Sequence, residues 1–497
     1  MRSVCFFTLC LVSTLHADSF HVAPDGKDEA GRGSKSKPWA SLAFACEQVP
    51  EGKHAIHLAP GDYLATRTAY AKSGFTIIGR KQYGKDRTRL MASKDWPLGD
   101  APVEGKADEY LISFEKAENV TIKNLAFVSD PEHRINGAIR AFRSTGVTLK
   151  ELAIEEFRWA GIHAEILTDL TITHCRLHNA STDRSRYWGG LIRAKYLKNA
   201  EIAHCRITSD TGGGYGYKGG GHTGMRFHHN FVDVKGGFAF ESPHENEFGV
   251  EIDHNYLTKC MSIPKGVQSP DPNQRGFEHT FHIHHNYLTD SYTIEGPRNH
   301  LRVNNNWIRI AKPNGRVYTH HGGTNEGPIW FHHNVVENVD RSLIWMNNGI
   351  ASGIHIYNNT IVCADAGPRT GFVLGVGSGE KLGEEGWSFK NNVVVAAWSQ
   401  ARKLFREENG VPEKIDATHN LLINVTNPPA ENLSGVDPGF MKTDEKPTPF
   451  YLPASQESAV VDQGIDVGFT HHGDAPDLGA FEFGVEPWKL EGIPKPR

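Results

Sequence analysis

The sequence predicts an all-β solenoid, a coil of short parallel strands stacked around a narrow core. One observation dominates: a single eight-residue phrase recurs twelve times between Val120 and Leu422, at spacings of 20 to 33 residues. Copies include VTIKNLAF from Val120, LTITHCRL from Leu170, VEIDHNYL from Val250, FHIHHNYL from Phe281 and WSFKNNVV from Trp387. Each reads as a period-2 strand, a polar step and a second apolar pair. A unit this short cannot bury its own apolar face, so the units must stack. Composition agrees, because 51 glycines and 10% aromatic residues fit many short strands joined by turns.

The sixth position of the phrase forms a predicted ladder: Leu125, Leu152, Cys175, Cys205, Asn230, Asn255, Asn286, Asn306, Asn334, Asn359, Asn392 and Asn420. Asn tolerates a left-handed bend and bonds backbone groups of neighbouring turns, so the ladder is structural. The histidine before it, as in His229, His254, His285 and His333, is expected to stack or to bond within the turn. Metal binding is not the expected role of that row, since ladders repeat whereas a metal site is local.

The chain opens on MRSVCFFTLCLVSTLHA, with an apolar run from Val4 to Val12 and a small residue, Ala17, at a cleavage position. The expected layout is therefore a signal peptide over 1–17, an N-terminal strand and capping helix over 18–53, the coil over 54–425, and an irregular tail over 426–497 packed against it. The capping helix is placed at Trp39–Val49, after Pro38, by its helical apolar spacing. Export implies a secreted or periplasmic, monomeric protein without a membrane span. Five cysteines follow the signal, an odd and sparse set for a disulfide brace. A formal charge of −5 with mixed signs excludes a global polyanion-binding surface, and nothing suggests nucleic-acid binding.

The beginning FHVAPDGKDEAGRGSKSKPWASLAFA, the segments HAIHLAPGDYLA and SGFTIIG, and the ending DPGF, YLPASQESAVVDQG and APDLGAFEFG complete a resemblance. With the repeated phrase, they make the chain similar to the right-handed parallel β-helix family of secreted carbohydrate-acting proteins, the pectin-lyase-like fold. The resemblance implies a polysaccharide partner and a lyase or hydrolase activity. It implies no single reaction, because one fold hosts many.

A second set of strands lies between the phrases: GYGYKGG, FAFESP, MSIPKG, YTIEGP, VYTHHGG and LIWMNN. Alternation predicts Val317 and Thr319 inward with Tyr292 and Ile294, and an outward line of Lys218, Glu241, Lys265, Glu295 and His320. These residue types suit β-elimination of an acidic, uronate-containing polysaccharide, in which a base takes the proton beside a neutralised carboxylate. The expected catalytic set is Lys265, Glu241, Glu295, His320 and Arg298, with Lys218 a second base candidate. Substrate binding is assigned to Lys218, Tyr318, Arg275 and His244. Ca²⁺, held by Glu241, Glu245 and Glu247, is the one cofactor this reading implies, and it offsets the glutamates that would otherwise keep Lys265 protonated. Two other readings compete: an inverting hydrolase using Glu241 and Glu295, and a non-catalytic glycan-binding coil using Trp159, Trp188, Trp307, Trp330 or Trp345. Of these tryptophans, Trp307 and Trp345 are expected in the core.

Overall fold

The computed structural model describes residues 18–98, 109–182, 189–211, 214–235, 248–258, 261–262, 281–289, 292–295, 300–310, 315–325, 327–339, 341–363, 372–396, 402–441, 451–490 and 492–493. For Phe248, Met261, Ser262, Tyr292, Thr293, Glu295, His321 and Gly322 it describes the backbone alone. Every regular strand pairing among these residues is parallel, from Ser19–Val22 on His54–Leu58 to Leu421–Ile423 on Leu433–Ser434. The chain is a parallel β-helix, with crossovers of the right-handed kind that parallel strands take.

Register turns the repeated phrase into rows. Ile122, Leu149, Ile172, Ile202, Phe227, Ile252 and Ile283 stack on successive turns, and each is fully buried. Burial of side chains this size contributes ~1.5–3 kcal/mol apiece. One continuous core therefore runs from Val22 to Val425.

Between the two strands of each phrase the chain turns through a left-handed residue. That residue precedes the ladder position: His204, His229, His254, His285, Asn305, His333, Asn358, Asn391 and His419 all have φ between 49° and 57°. The expectation that the ladder Asn itself takes the bend is corrected here, because the Asn amide is committed elsewhere. Histidine and asparagine are among the non-glycine residues that tolerate this conformation best.

The ladder is a chain of amide bonds. Asn286 Oδ1 accepts from the Asn255 backbone N–H at 2.9 Å. Its Nδ2 donates to Ile252 O at 2.8 Å, His284 O at 2.9 Å and Asn306 Oδ1 at 3.0 Å. The same pattern repeats at Asn255, Asn306, Asn334, Asn359, Asn392 and Asn420. Cys205 fills the place with a thiol, which points at Ala203 O and Ile172 O just as the amide points at its two carbonyls. Cys175 does likewise, and both are free thiols. The preceding histidines stack as expected, His229 on His254 at 5.0 Å and His254 on His285 at 5.2 Å, with rings nearly parallel.

A helix at Leu42–Gln48, shorter than expected because Ser41 caps its start, buries Leu42, Ala45 and Cys46 in the same core. The last segment folds back along the coil. Val460, Val461 and Leu478 cover Val393 and Leu421, while Ala480 and Phe481 cover Trp307 and Val335. Trp307 is thus buried against this segment rather than inside the coil. No helix among the described residues is long and apolar enough to cross a membrane.

Asn286→Ala removes bonds that hold three consecutive turns. The expected result is a loss of about 1–3 kcal/mol in unfolding free energy by denaturant titration, with no specific loss at a distant site. An unchanged transition would show that the amide row contributes nothing.

Candidate functional site

The outer strands containing Glu295 and His320 belong to a separate five-stranded parallel sheet. Its register pairs Glu295 with Thr319 and Thr319 with Trp345, while Tyr318 pairs with Ile294 and Ile344. Tyr318 therefore stands in a core row, and His320, opposite Met346, is on the same parity and fully buried. His320 Nδ1 lies 3.2 Å from the Tyr318 hydroxyl. Val317 is in the core as expected, whereas Thr319 falls in the row of Trp345 and His320, expected outward, is buried opposite Met346. Register irregularities at His320/His321 and His321/Thr324 follow. Trp345, expected in the core, falls in the outward row beneath Arg316 and Arg341, at 5.0 and 4.5 Å from its ring. Glu241, His244, Glu245, Glu247, Lys265, Arg275 and Arg298 lie outside the described residues.

The remaining expected residue, Lys218, leads to a group that the sequence reading passed over. On strands Tyr110–Glu115, Gly137–Phe142, Ile162–Thr173, Gly190–Ala203 and Tyr215–Gly220, register aligns Ser113, Arg140, His163, Arg193 and Lys218 in one row. The rows on either side, Ile112 to Tyr217 and Phe114 to Gly219, contain core residues, so this row faces outward. It is nevertheless covered: Arg140, His163, Arg193 and Lys218 are 5%, 2%, 1% and 0% exposed. Basic groups stacked at the ~4.8 Å rung spacing repel one another. A buried, in-register basic row is therefore costly unless neighbours offset it, as Glu115 does for Arg140 at 3.9 Å.

Those neighbours set the charge of each member. His163 Nε2 donates to Glu165 at 3.3 Å, and the Tyr110 hydroxyl approaches Nδ1 at 3.4 Å. Burial outweighs Glu165 and lowers the His163 pKa, so the ring is neutral at pH 7. Arg140 reaches Ser113 Oγ at 3.5 Å and lies over the Phe142 ring at 4.8 Å. Arg193 donates to Lys218 O at 3.1 Å. Lys218 Nζ sits 4.4 Å over the Tyr215 ring. Burial first, and then the charge of Arg193, lower its pKa to about 7. The site thus pairs fixed guanidinium groups with an amine that is half deprotonated near neutrality. Arg158 anchors the edge of the row, donating to Glu109 at 2.9 Å and to Asn136 Oδ1 at 2.8 Å. The sequence signal was present in GAIR, GIH and GLIR, where each basic residue follows an isoleucine facing inward.

No family model and no curated protein matches the sequence. Among solved structures the chain is similar to pectate lyase Pel9A, at 16% identity and a TM-score of 0.28, over 94% of this chain and 96% of that one. It is also similar to a tailspike protein mutant of E. coli bacteriophage HK620 in complex with pentasaccharide, at 8% identity and a TM-score of 0.49, over 81% of this chain and 76% of that one. Likenesses this distant bear on neither substrate nor reaction.

The Lys218 amine makes stability depend on pH. Folding lowers its pKa to about 7 from the ~10.4 of an unfolded chain. Between those values the unfolded state binds more protons, so this residue's contribution to stability rises with pH across the window. Below about 7 the full penalty is present. Comparing wild type with Lys218→Met by denaturant unfolding, the balance should move toward wild type from pH 7 to pH 10. A difference independent of pH would mean that Lys218 titrates normally.

Proposed function

We propose that this protein acts on an acidic polysaccharide and cleaves it by β-elimination, with Lys218 as the base. The observation that carries the reading is the Lys218 amine held at about 7 beside Arg193 in a basic row. A base is most effective when its pKa lies near the working pH. The arginines provide the second requirement, a fixed positive field for a sugar carboxylate, which makes the adjacent C–H acidic. In the step itself, Lys218 Nζ takes that proton, the C–H pair becomes a C=C bond, and the C–O bond to the next sugar breaks. The proton gained by Lys218 is then available to the departing oxygen. Arg193 and Arg140 serve as carboxylate-binding residues, and His163, neutral and held by Glu165, spaces them. Because the row is covered, substrate reaches it only when that cover moves aside.

The basic row supports elimination; the inverting-hydrolase reading pairs Glu295 with Glu241, which lies outside the described residues. The carboxylates expected to hold Ca²⁺ lie outside the described residues, so no step is routed through a cation. Residues 1–17 support export of the protein to its substrate.

The test is a panel of uronate-containing polysaccharides, read both by ultraviolet absorbance of the new double bond and by reducing ends. Wild type should give both signals, with kcat/KM rising through a pH near the Lys218 value of about 7. Lys218→Ala should lose activity by ~10²-fold or more. Arg193→Met should move the rising limb to higher pH, since it removes one cause of the depressed pKa. Reducing ends without absorbance would replace elimination with hydrolysis.

A further inference from the structure

A second cluster lies on the outer face of the strands that carry the phrase, away from the basic row. Glu251 on strand Phe248–Asp253 pairs in register with His282 on strand Phe281–His284, and Asp253 pairs with His284. Glu251, His282 and His284 each present one ligand atom, and the three atoms lie within 4.8 Å of one another. The His282 and His284 ring centroids are 4.1 Å apart. Glu251 is 40% exposed, so the cluster is open on one side.

The hydrogen bonds around these residues decide where the protons sit. His284 Nδ1 lies 2.8 Å from His285 Nδ1. The same pair recurs two turns later, where His332 Nδ1 is 2.8 Å from His333 Nδ1. There Arg302 Nε donates to His332 Nε2 at 3.0 Å, so His332 must be the donor to His333. At His284 the partner of Nε2 is instead a carboxylate, which only accepts, so His284 donates from Nε2 to Glu251 Oε1 at 2.7 Å and its Nδ1 accepts from His285. A metal ion bound there would displace that proton and take the freed Nε2 lone pair.

His282 favours the metal. Asn304 Nδ2 donates to Asn305 Oδ1 at 2.5 Å, which turns Asn304 Oδ1 toward His282 Nε2 at 2.6 Å. His282 is therefore a donor at Nε2, and its other ring nitrogen carries a lone pair. A proton shared between His284 and Glu251 has no use for a third ligand. A metal does, and an outer hydrogen bond such as that from His282 to Asn304 is how metal-bound histidines are oriented.

We propose that Glu251, His282 and His284 form a binding site for one divalent transition-metal ion of the Zn²⁺ class. Two imidazoles and a carboxylate match the ligand preference of such ions, whereas Ca²⁺ and Mg²⁺ prefer all-oxygen sets. The open side leaves a position for water. The site joins two consecutive turns of the coil, and it is separate from the ring-stacked ladder histidines. His204, His228 and His229 also gather, and Glu201 bonds His228 Nε2 at 3.0 Å, so His228→Ala tests whether the metal goes there instead.

The test uses the full chain, stripped with chelator, dialysed and titrated with Zn²⁺ alone by calorimetry, with Co²⁺ absorption as a second readout of ligand geometry. Wild type should bind one equivalent, and the bound ion should raise the melting temperature. His282→Ala and Glu251→Gln should each weaken binding by more than ~100-fold, and Asn304→Ala by ~10–100-fold. His228→Ala should bind as wild type does, and Ca²⁺ should give no shift. Melting curves of the metal-free variants establish that each is folded. If Glu251→Gln does not fold, Glu251→Ala and His282→Asn take its place. Absence of binding in wild type, or binding unchanged in His282→Ala, would overturn the site and leave His284 simply donating a hydrogen bond to Glu251. Loss in His228→Ala with retention in His282→Ala would also overturn it.

Discussion

The coil depends on how its corner is satisfied. A left-handed residue bends the chain between the two strands of each phrase, and the bend exposes backbone groups that no strand can pair. Asparagine at the next position supplies both the acceptor and the donors that are missing, to its own turn and to the turns beside it. An unpaired buried group costs ~1–3 kcal/mol, so a coil of this length could not tolerate leaving each corner unmet. Once the corners are fixed, the register of every strand between them is fixed too. The apolar rows then follow as a consequence.

Fixed register also explains why chemistry collects in rows. A residue type placed once per turn at the same distance from the corner lies directly over its counterpart. The histidine stack is the neutral form of this effect, with Asp253 and Glu251 balancing Arg226 nearby. Asp253 shows the strength of such pairing: burial alone would raise its pKa, yet bonds from His254 and Arg226 hold it well below the usual carboxylate range. The basic row from Arg140 to Lys218 is the like-charged form, where burial first and then the charge of Arg193 lower the Lys218 pKa.

The sequence was most legible where the corner phrase is present. The strands, the ladder from Leu125 to Asn420 and the stacking of His229, His254 and His285 all follow from period and spacing. Legibility falls on the outer strands because they carry no asparagine to fix the count. His320 was placed outward for that reason, and the irregularities beside it leave no clean alternation to read. Trp345 was misplaced in the same sheet. Trp307 was read as core because it is apolar and inward by phrase, whereas a segment some 170 residues later covers it from outside. The basic row was missed differently. Arg140, His163 and Arg193 each follow an inward isoleucine in plain alternation, but scattered single charges on strands look like ordinary solvated positions until stacking brings them together.

The ladder amides also point in a common direction. From Asn255 to Asn420 each Nδ2 lies within hydrogen-bond distance of the Oδ1 of the asparagine in the following turn, as well as of a carbonyl in the preceding one. The side-chain carbonyls therefore all point toward the amino-terminal turns. Helical proteins obtain such an alignment of carbonyls from the main chain; here side chains build one inside an all-strand architecture, where sheet dipoles nearly cancel. Chains of aligned hydrogen bonds polarise one another, so each turn strengthens the corner of the next, and the row ends without a stray donor because Asn432 turns its amide onto Ala417, Pro429 and Ala430. The coil has a common direction of side-chain carbonyls as well as of sequence.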